Sequence, residues 1–466
     1  MSLRHMRKAS AGRLAAAGFF AAFLLPAYPA VTAEEARQLG TSLTEFGAER
    51  AGNADGSIPA YAGGLDRVAG YDPKTANAYV DPYQDEKPLY SVTAENLPQF
   101  DALLAPGTRF LLQTQPGYRV DVYPTHRSMR YTPEVLRNTL RNATTARLAG
   151  AVAGDTVEGG DKANLPFAGI PFPLPKNGYE VMWNHHFRFA AAVTDFYGSG
   201  LLMDASGELN VGSRLHQIWV HPWYDTRDAL RGKTFNAYFG LTSLVTEPQK
   251  ISGSRFLAFY LVKADEGPKA WFYVPGLRRV RTAPDFSYDI PLTGTIFWDE
   301  FSGFLGRMDR FDFTLIGKRE MLVPYNVFGV TNTVPEKTFL GKTFINPDAM
   351  RWERHRVWVV EAVRKRDVRH SHARRTFYLD EDCWCVTQSE AYDDAGKMVR
   401  INQINSFPSY GVGGINTNSW INYDLVKGGY YIFNAGYIEH FIHEYASAEG
   451  MAIDLTPQSI VGSSSQ

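Results

Sequence analysis

A mainly β fold, of α+β type and built on a large antiparallel sheet, is predicted for this 466-residue chain by three features. Aromatic side chains make up 14% of it, as 25 Tyr, 29 Phe and 9 Trp, and Gly and Pro are plentiful. That balance favours pleated strands and tight turns over a helical bundle. Four apolar segments, RVWVVEAVRK, RRTFYLDED, CWCVTQSEAY and MVRINQINSF, follow one another with short polar connections, the pattern of an antiparallel meander. Several strands are also apolar on both faces. In RFLAFYLVK, Phe256, Ala258, Tyr260 and Val262 alternate with Leu257, Phe259 and Leu261; in RVWVVEAV, Val357, Val359 and Val363 alternate with Trp358, Val360 and Ala362. A sheet with one wet face would alternate apolar with polar. A two-faced strand needs cover on both sides, from a second layer, from helices or from a ligand.

The chain opens with residues 1–33, which have the form of a cleaved signal peptide. Arg4, Arg7, Lys8 and Arg13 precede the apolar run Leu14–Leu25, and Val31-Thr32-Ala33 offers small cleavage residues. The run is short of the roughly 20 residues that a membrane-spanning helix needs. No cysteine directly follows it, so a lipoprotein anchor is not expected. Residues 34–466 are expected to form one large domain, with 34–180 rich in loops and helices and 181–466 carrying the main sheet. Helices are predicted near Ala94–Leu104 and over Thr132–Gly150, the latter with Thr132 as N-cap, Pro133 in its first turn and Gly150 as its stop. Gly169–Glu180, rich in Pro and Gly, reads as an extended strap. Strands are predicted from about Leu215 onward, interrupted by short helices at Trp298–Leu305 and Tyr437–Ala446.

Loss of the leader removes four cations and no anions, so the formal charge goes from −1 to −5. A mildly acidic exported protein lacks the field of a nucleic-acid binder, and none is expected as a partner. Cys383 and Cys385 are the only cysteines. At i and i+2 of a strand they would make a strained bridge, and they are expected to be two buried or half-buried thiols.

No catalytic or metal constellation emerges. His370 and His372 fall in RKRDVRHSHARR, which reads as a solvated hairpin tip. His440 and His443 are three apart, whereas a zinc-protease helix needs His-Glu-x-x-His. His185, His186, His216 and His221 are adjacent or wrongly spaced for a metal, and at most line a polar spot in a pocket. No Gly-x-Ser-x-Gly elbow is present. Asp380-Glu381-Asp382 at a strand end reads as solvated. Neither a metal nor any other cofactor is expected, and an outer-membrane barrel is disfavoured because helices and loops interrupt the strands.

Longer words of the sequence are more specific. LGTSLTEFGAERAGNADGSIPAYAGGL, PFPLPKNGYEVMWNH, LVTEP, GLRRVRTAP, DRFDFTLIGKREMLVPYN, HRVWVVEAVRK and RRTFYLDEDCW together resemble the bacterial domain-of-unknown-function family numbered 1329, from about Glu35 to Ala446. Pro248, Gly253 and Leu257, then WFYVPGLRRVR and Asp285-Phe286-Tyr288, are similar to the LolA/LolB-like lipoprotein-carrier superfamily. That resemblance implies a curved antiparallel sheet, an unclosed barrel whose cavity is lidded by helices. It also implies a periplasmic carrier of a lipid or other hydrophobic molecule, working with an RND-type exporter and an outer-membrane protein. An exported enzyme acting on envelope lipids or polymers is the alternative. The expected wall of the cavity is Trp219, Phe256, Tyr260, Trp271, Tyr273 and Trp358. Arg278, Arg279, Arg281, His185 and His186 are the polar candidates for a headgroup or partner. Arg279 and Arg281 would share a strand face with Arg278 on the other. The three are expected to pair with Asp285, Asp299, Glu300 or Asp309, with a headgroup or partner contact as the sharper reading.

Overall fold

The computed structural model describes residues 31–72, 79–152, 154–263, 266–267, 269–283, 286–292, 296–435 and 442–461. Most of the leader and His440 lie outside them. Thr32 caps a short helix α1 (Ala33–Ala36) through a capping box with Glu35. Strand β1 (Tyr90–Val92), helices α2 (Leu97–Phe100) and α3 (Pro106–Thr114), and strand β2 (Val120–Val122) follow. The predicted helix after Thr132 forms as α4 (Pro133–Thr145), with the Thr132 side chain accepting from Val135 N. It stops short of Gly150, because Arg147–Ala149 is already strand β3, paired with β4 (Thr156–Glu158). The strap runs only as far as Asn177, whose side chain caps helix α5 (Gly178–His186).

The strands begin earlier than Leu215, with β5 (Val193–Met203) and β6 (Leu209–Val220). Then come β7 (Ala237–Glu247), β8 (Arg255–Leu261), β9 (Lys269–Val274) and β10 (Arg279–Thr282). After β11 (Phe311–Pro324) and the short helix α6 (Glu336–Phe339), the meander is β12 (Trp352–Arg364), β13 (Arg374–Asp380), β14 (Val386–Tyr392) and β15 (Met398–Ile404). A small hairpin, β16 (Phe407–Pro408) and β17 (Ile415–Asn416), leads to β18 (Ser419–Asp424), β19 (Tyr430–Ala435) and β20 (Ile442–Tyr445). Trp298–Gly303 forms 3-10 turns broken at Phe301 and Ser302. Ile442–Tyr445, expected in a helix, is a strand, and residues 437–441 of that expectation lie outside the described residues.

Sixteen strands make one sheet in the order β1-β2-β12-β13-β14-β15-β18-β19-β5-β6-β7-β8-β9-β10, with β11 on β12 and β20 on β5. Its order does not return upon itself: β1 and β10 are its ends, so it is not closed into a barrel. The meander pairs antiparallel as expected. The N-terminal part does not stand outside the sheet, since β1 and β2 extend it.

Strand β8 is covered on both faces, whereas β12 is not covered throughout, since Val363 at its end is exposed. On β8 and just after it, Phe256, Ala258, Tyr260 and Val262 join the main aromatic core, while Leu257, Phe259 and Leu261 join a separate cluster beneath Ala448, Leu455 and Ile460 near the C-terminus. On β18 and β19, Trp420, Tyr431 and Phe433 face the main core, and Ile421, Tyr430 and Ile432 face a third cluster with Leu111 and Leu112 of α3. The face toward the main core is called the inner face below.

Candidate ligand site on the inner face of the sheet

Cross-strand partners share a face, and the register lines up an aromatic wall. Trp219 on β6 pairs with Leu241 on β7, which pairs with Ala258 on β8. Trp219 meets Phe239 edge-on at 5.3 Å and Phe196 at 5.4 Å, and Trp420 stacks on Phe433 at 4.6 Å. All are buried.

What covers this wall is the segment 286–292 and 296–305, which among the described residues contains no helix longer than the 3-10 turns of Trp298–Gly303. Phe286 packs on Tyr260 at 4.8 Å, Trp298 on Phe256 at 4.9 Å, and Phe301 on Trp420 at 4.4 Å and Trp219 at 5.4 Å. Beside Tyr260 a cavity of about 30 Å³ remains, lined by His186, Tyr238, Ser287 and the Asp155–Arg307 ion pair. That is room for about two waters, not for an acyl chain.

The segment is held by a buried ionic clasp. Asp299 Oδ2 accepts from His370 Nε2 at 2.9 Å and from an Arg375 guanidinium nitrogen at 2.6 Å. Glu300 Oε1 accepts from His372 Nε2 at 3.1 Å and lies 3.3 Å from Arg400, which also pairs with Asp424 at 3.0 Å. Burial opposes both carboxylates, yet Arg375 and His370 hold Asp299 well below the usual range, and Arg400 and His372 bring Glu300 down to about 2. Burial pushes His372 down as well. His370 and His372 are therefore not a solvated tip: the basic stretch folds its histidines inward onto acids from the covering segment.

The expected wall residues divide. Trp219, Phe256 and Tyr260 lie on the inner face. Trp271 and Tyr273 do not: Trp271 pairs with Leu257, and both rings pack on the other side of the sheet. Trp358 is half-buried against the main core too, stacked on Trp384 at 5.9 Å, and lines an open groove of about 300 Å³ with Lys318, Glu49 and Pro173. Phe286, Trp298, Phe301, Trp420 and Phe433 complete the inner face without a place in the expected wall. YYIFNA carries the same two-faced signal as β8, and it would have found Phe433.

The polar candidates also separate. His185 is fully used within the fold, donating to the Phe304 carbonyl at 3.1 Å and accepting from Val386 N at 3.2 Å. His186 lines the cavity, stacked between Tyr238 and Phe304, and burial with Arg188 nearby brings it down to about 3. His216 pairs with Asp195 at 2.5 Å, and buried His221 falls to about 3 for the same reasons as His186. Arg278 is not in a strand; it ends the Pro275–Leu277 turn at φ 48°. Arg279 and Arg281 are exposed on β10, sharing a face as predicted. None of the three arginines has an ion pair among the described residues. Asp299, Glu300 and Asp309 pair with other cations, and Asp285 lies outside the described residues.

Asp380-Glu381-Asp382 is buried rather than solvated. Arg127 grips Asp382 with two nitrogens at 2.8 and 2.6 Å, and Lys318 lies 2.8 Å from Glu381. His355 bridges Asp380 at 2.8 Å and Glu353 at 3.2 Å. Against the cost of burial, those carboxylates raise His355 to about 10, so it is an imidazolium. His355, Asp380 and Asp382 lie close enough to share a cation. Their ligand atoms are instead taken up by one another, by Arg127 and by the amides of Asp382 and Cys383. The set is an ion-pair network. Next to it, Cys383 and Cys385 are not thiols but a buried disulfide, made possible by Trp384 at φ 57°.

Residues 91–460 match the family described as protein of unknown function DUF1329. The chain is 37% identical over 391 residues to the uncharacterized protein PA3922 of Pseudomonas aeruginosa, covering 82% of this chain and 83% of that one. Among solved structures, it is similar to a Vibrio parahaemolyticus domain described as outer membrane lipoprotein-sorting, with 12% identity, a TM-score of 0.42, and 61% and 98% of the two chains covered. A DUF1329 family protein from Desulfovibrio piger shows 9% identity and a TM-score of 0.41 over 61% and 97%. A LolA superfamily protein from Nitrosomonas europaea shows 10% and 0.35 over 56% and 92%.

Proposed function

We propose a function from one premise: the chain belongs to the DUF1329 family of proteins of unknown function. The reading is a periplasmic carrier that binds a lipid or other hydrophobic molecule against the inner face of the sheet and hands it on within the envelope. An RND-type exporter and an outer-membrane protein are the proposed source and destination.

The observation that carries the reading is the cover of the aromatic wall. Among the described residues, Trp219, Phe256, Tyr260 and Trp420 are closed not by a second sheet or a long helix but by Phe286, Trp298 and Phe301, borne on short turns. Apolar area released by those rings is replaced by apolar area of a ligand at the same roughly 25 cal/mol per Å². The exchange is then close to balanced, as a carrier that must also release its cargo requires. The clasp of Asp299 and Glu300 on β13 and β15 sets how readily the cover lifts. No acid, base or nucleophile is needed for this work.

Solvent extraction and native mass spectrometry of the protein purified from its own envelope test the reading. Co-purified lipid, displaceable by the uncharged fluorophore 1-N-phenylnaphthylamine, is expected. Protein that carries no lipid and fails to bind the fluorophore overturns it.

A further inference from the structure

The inner face does not end where the core ends. Across the last three strands, Phe256 on β8 pairs with Phe272 on β9, and Phe272 with Arg281 on β10; Val274 pairs with Arg279. Partners share a face, so Phe272, Val274, Arg279 and Arg281 continue the wall that Phe256 begins. Phe272 and Val274 are half-buried and belong to none of the three core clusters. Arg279 and Arg281 are exposed, and β10 has no strand on its outer side among the described residues. The sheet thus offers an apolar strip, open at the edge and terminated by two guanidinium groups. Arg255 pairs with Tyr273 and Lys269 with Phe259, on the opposite face, so the positive charge at the end of this strip is that of Arg279 and Arg281.

Resting on the carrier reading above, we infer that the cargo is an amphiphile with an anionic head, a carboxylate or a phosphate. Its chain lies along Phe256, Phe272 and Val274, and its head is held by Arg279 and Arg281. Guanidinium groups suit both head types because they present paired donors to two anionic oxygens. The competing account is that the arginines only guard a free edge against pairing with another strand, as edge cations do.

Displacement of 1-N-phenylnaphthylamine at low ionic strength separates these accounts. Palmitate and 1-palmitoyl lysophosphatidylglycerol are compared with uncharged monopalmitoylglycerol, on the wild type and on Arg279→Glu/Arg281→Glu. Both sites are exposed, so the variant should fold, which circular dichroism checks. The expected result is displacement by an anionic competitor at about tenfold lower concentration than by the neutral one. The variant should lose that preference and keep its affinity for the fluorophore. Whichever anion binds more tightly identifies the head. No preference in the wild type, or a preference that survives in the variant, overturns the inference and leaves the carrier reading standing. Failure of the wild type to bind the fluorophore removes both.

Discussion

Asp299, in the segment beneath the sheet, lies 2.6 Å from the guanidinium of Arg375 on β13, and both side chains are almost wholly buried. Breaking a buried pair by removing one partner leaves a charge uncompensated, at a cost of about 3–5 kcal/mol. Asp299→Asn is expected to destabilise the protein by about 3 kcal/mol in urea unfolding. The double variant Asp299→Asn/Arg375→Met should lose less than the sum of the two single changes, because the second removes the charge that the first left unpaired.

Alkaline stability should depend on His355. Its folded pKa of about 10 lies above the ordinary 6.5, since Asp380 and Glu353 outweigh the cost of burial. Its contribution is therefore complete below about pH 6.5 and disappears as pH rises through 10. Urea midpoints between pH 7 and 10 should fall for the wild type and flatten for His355→Gln.

The acid side carries the opposite sign. His186 and His221 are held neutral by burial at about 3, and Glu300 is held at about 2. The histidines contribute stability that is present above 6.5 and is lost as pH falls from there toward 3; Glu300 adds a loss from about 4.5 toward 2. Stability measured by urea midpoint should begin to fall below pH 6.5. His186→Phe, which keeps the stack on Tyr238 and Phe304, should weaken the first stage and spare the second.

The Cys383–Cys385 bridge closes a loop of only three residues. Chain-entropy arguments give such a loop about 1.5 kcal/mol. Its reduction should therefore cost less stability than Asp299→Asn, measured as unfolding in urea with and without a reductant on protein with verified thiol content.

What the sequence made legible was alternation within a strand. Phe256, Ala258, Tyr260 and Val262 were separated correctly from Leu257, Phe259 and Leu261 because a strand has a period of two. Alternation does not say which face of the next strand continues the wall, so Trp271 and Tyr273, expected in the wall, lie on the other side of the sheet. Only the pairing of Trp271 with Leu257 settles it. His370 and His372 looked solvated because their partners Asp299 and Glu300 are about seventy residues away, and Asp382 looked solvated because Arg127 is farther still. Tyr90–Val92 and Val120–Val122 are too short to show a period at all. Long-range ion pairs and three-residue strands leave no local pattern to read.

The central claim, that cargo replaces the segment covering the aromatic wall, is tested most directly by hydrogen exchange of the amides of residues 296–305 with and without 1-N-phenylnaphthylamine. Saturating fluorophore is expected to lower protection there while β12–β15 keep theirs. Unchanged or increased protection in 296–305 with the fluorophore bound would contradict the account.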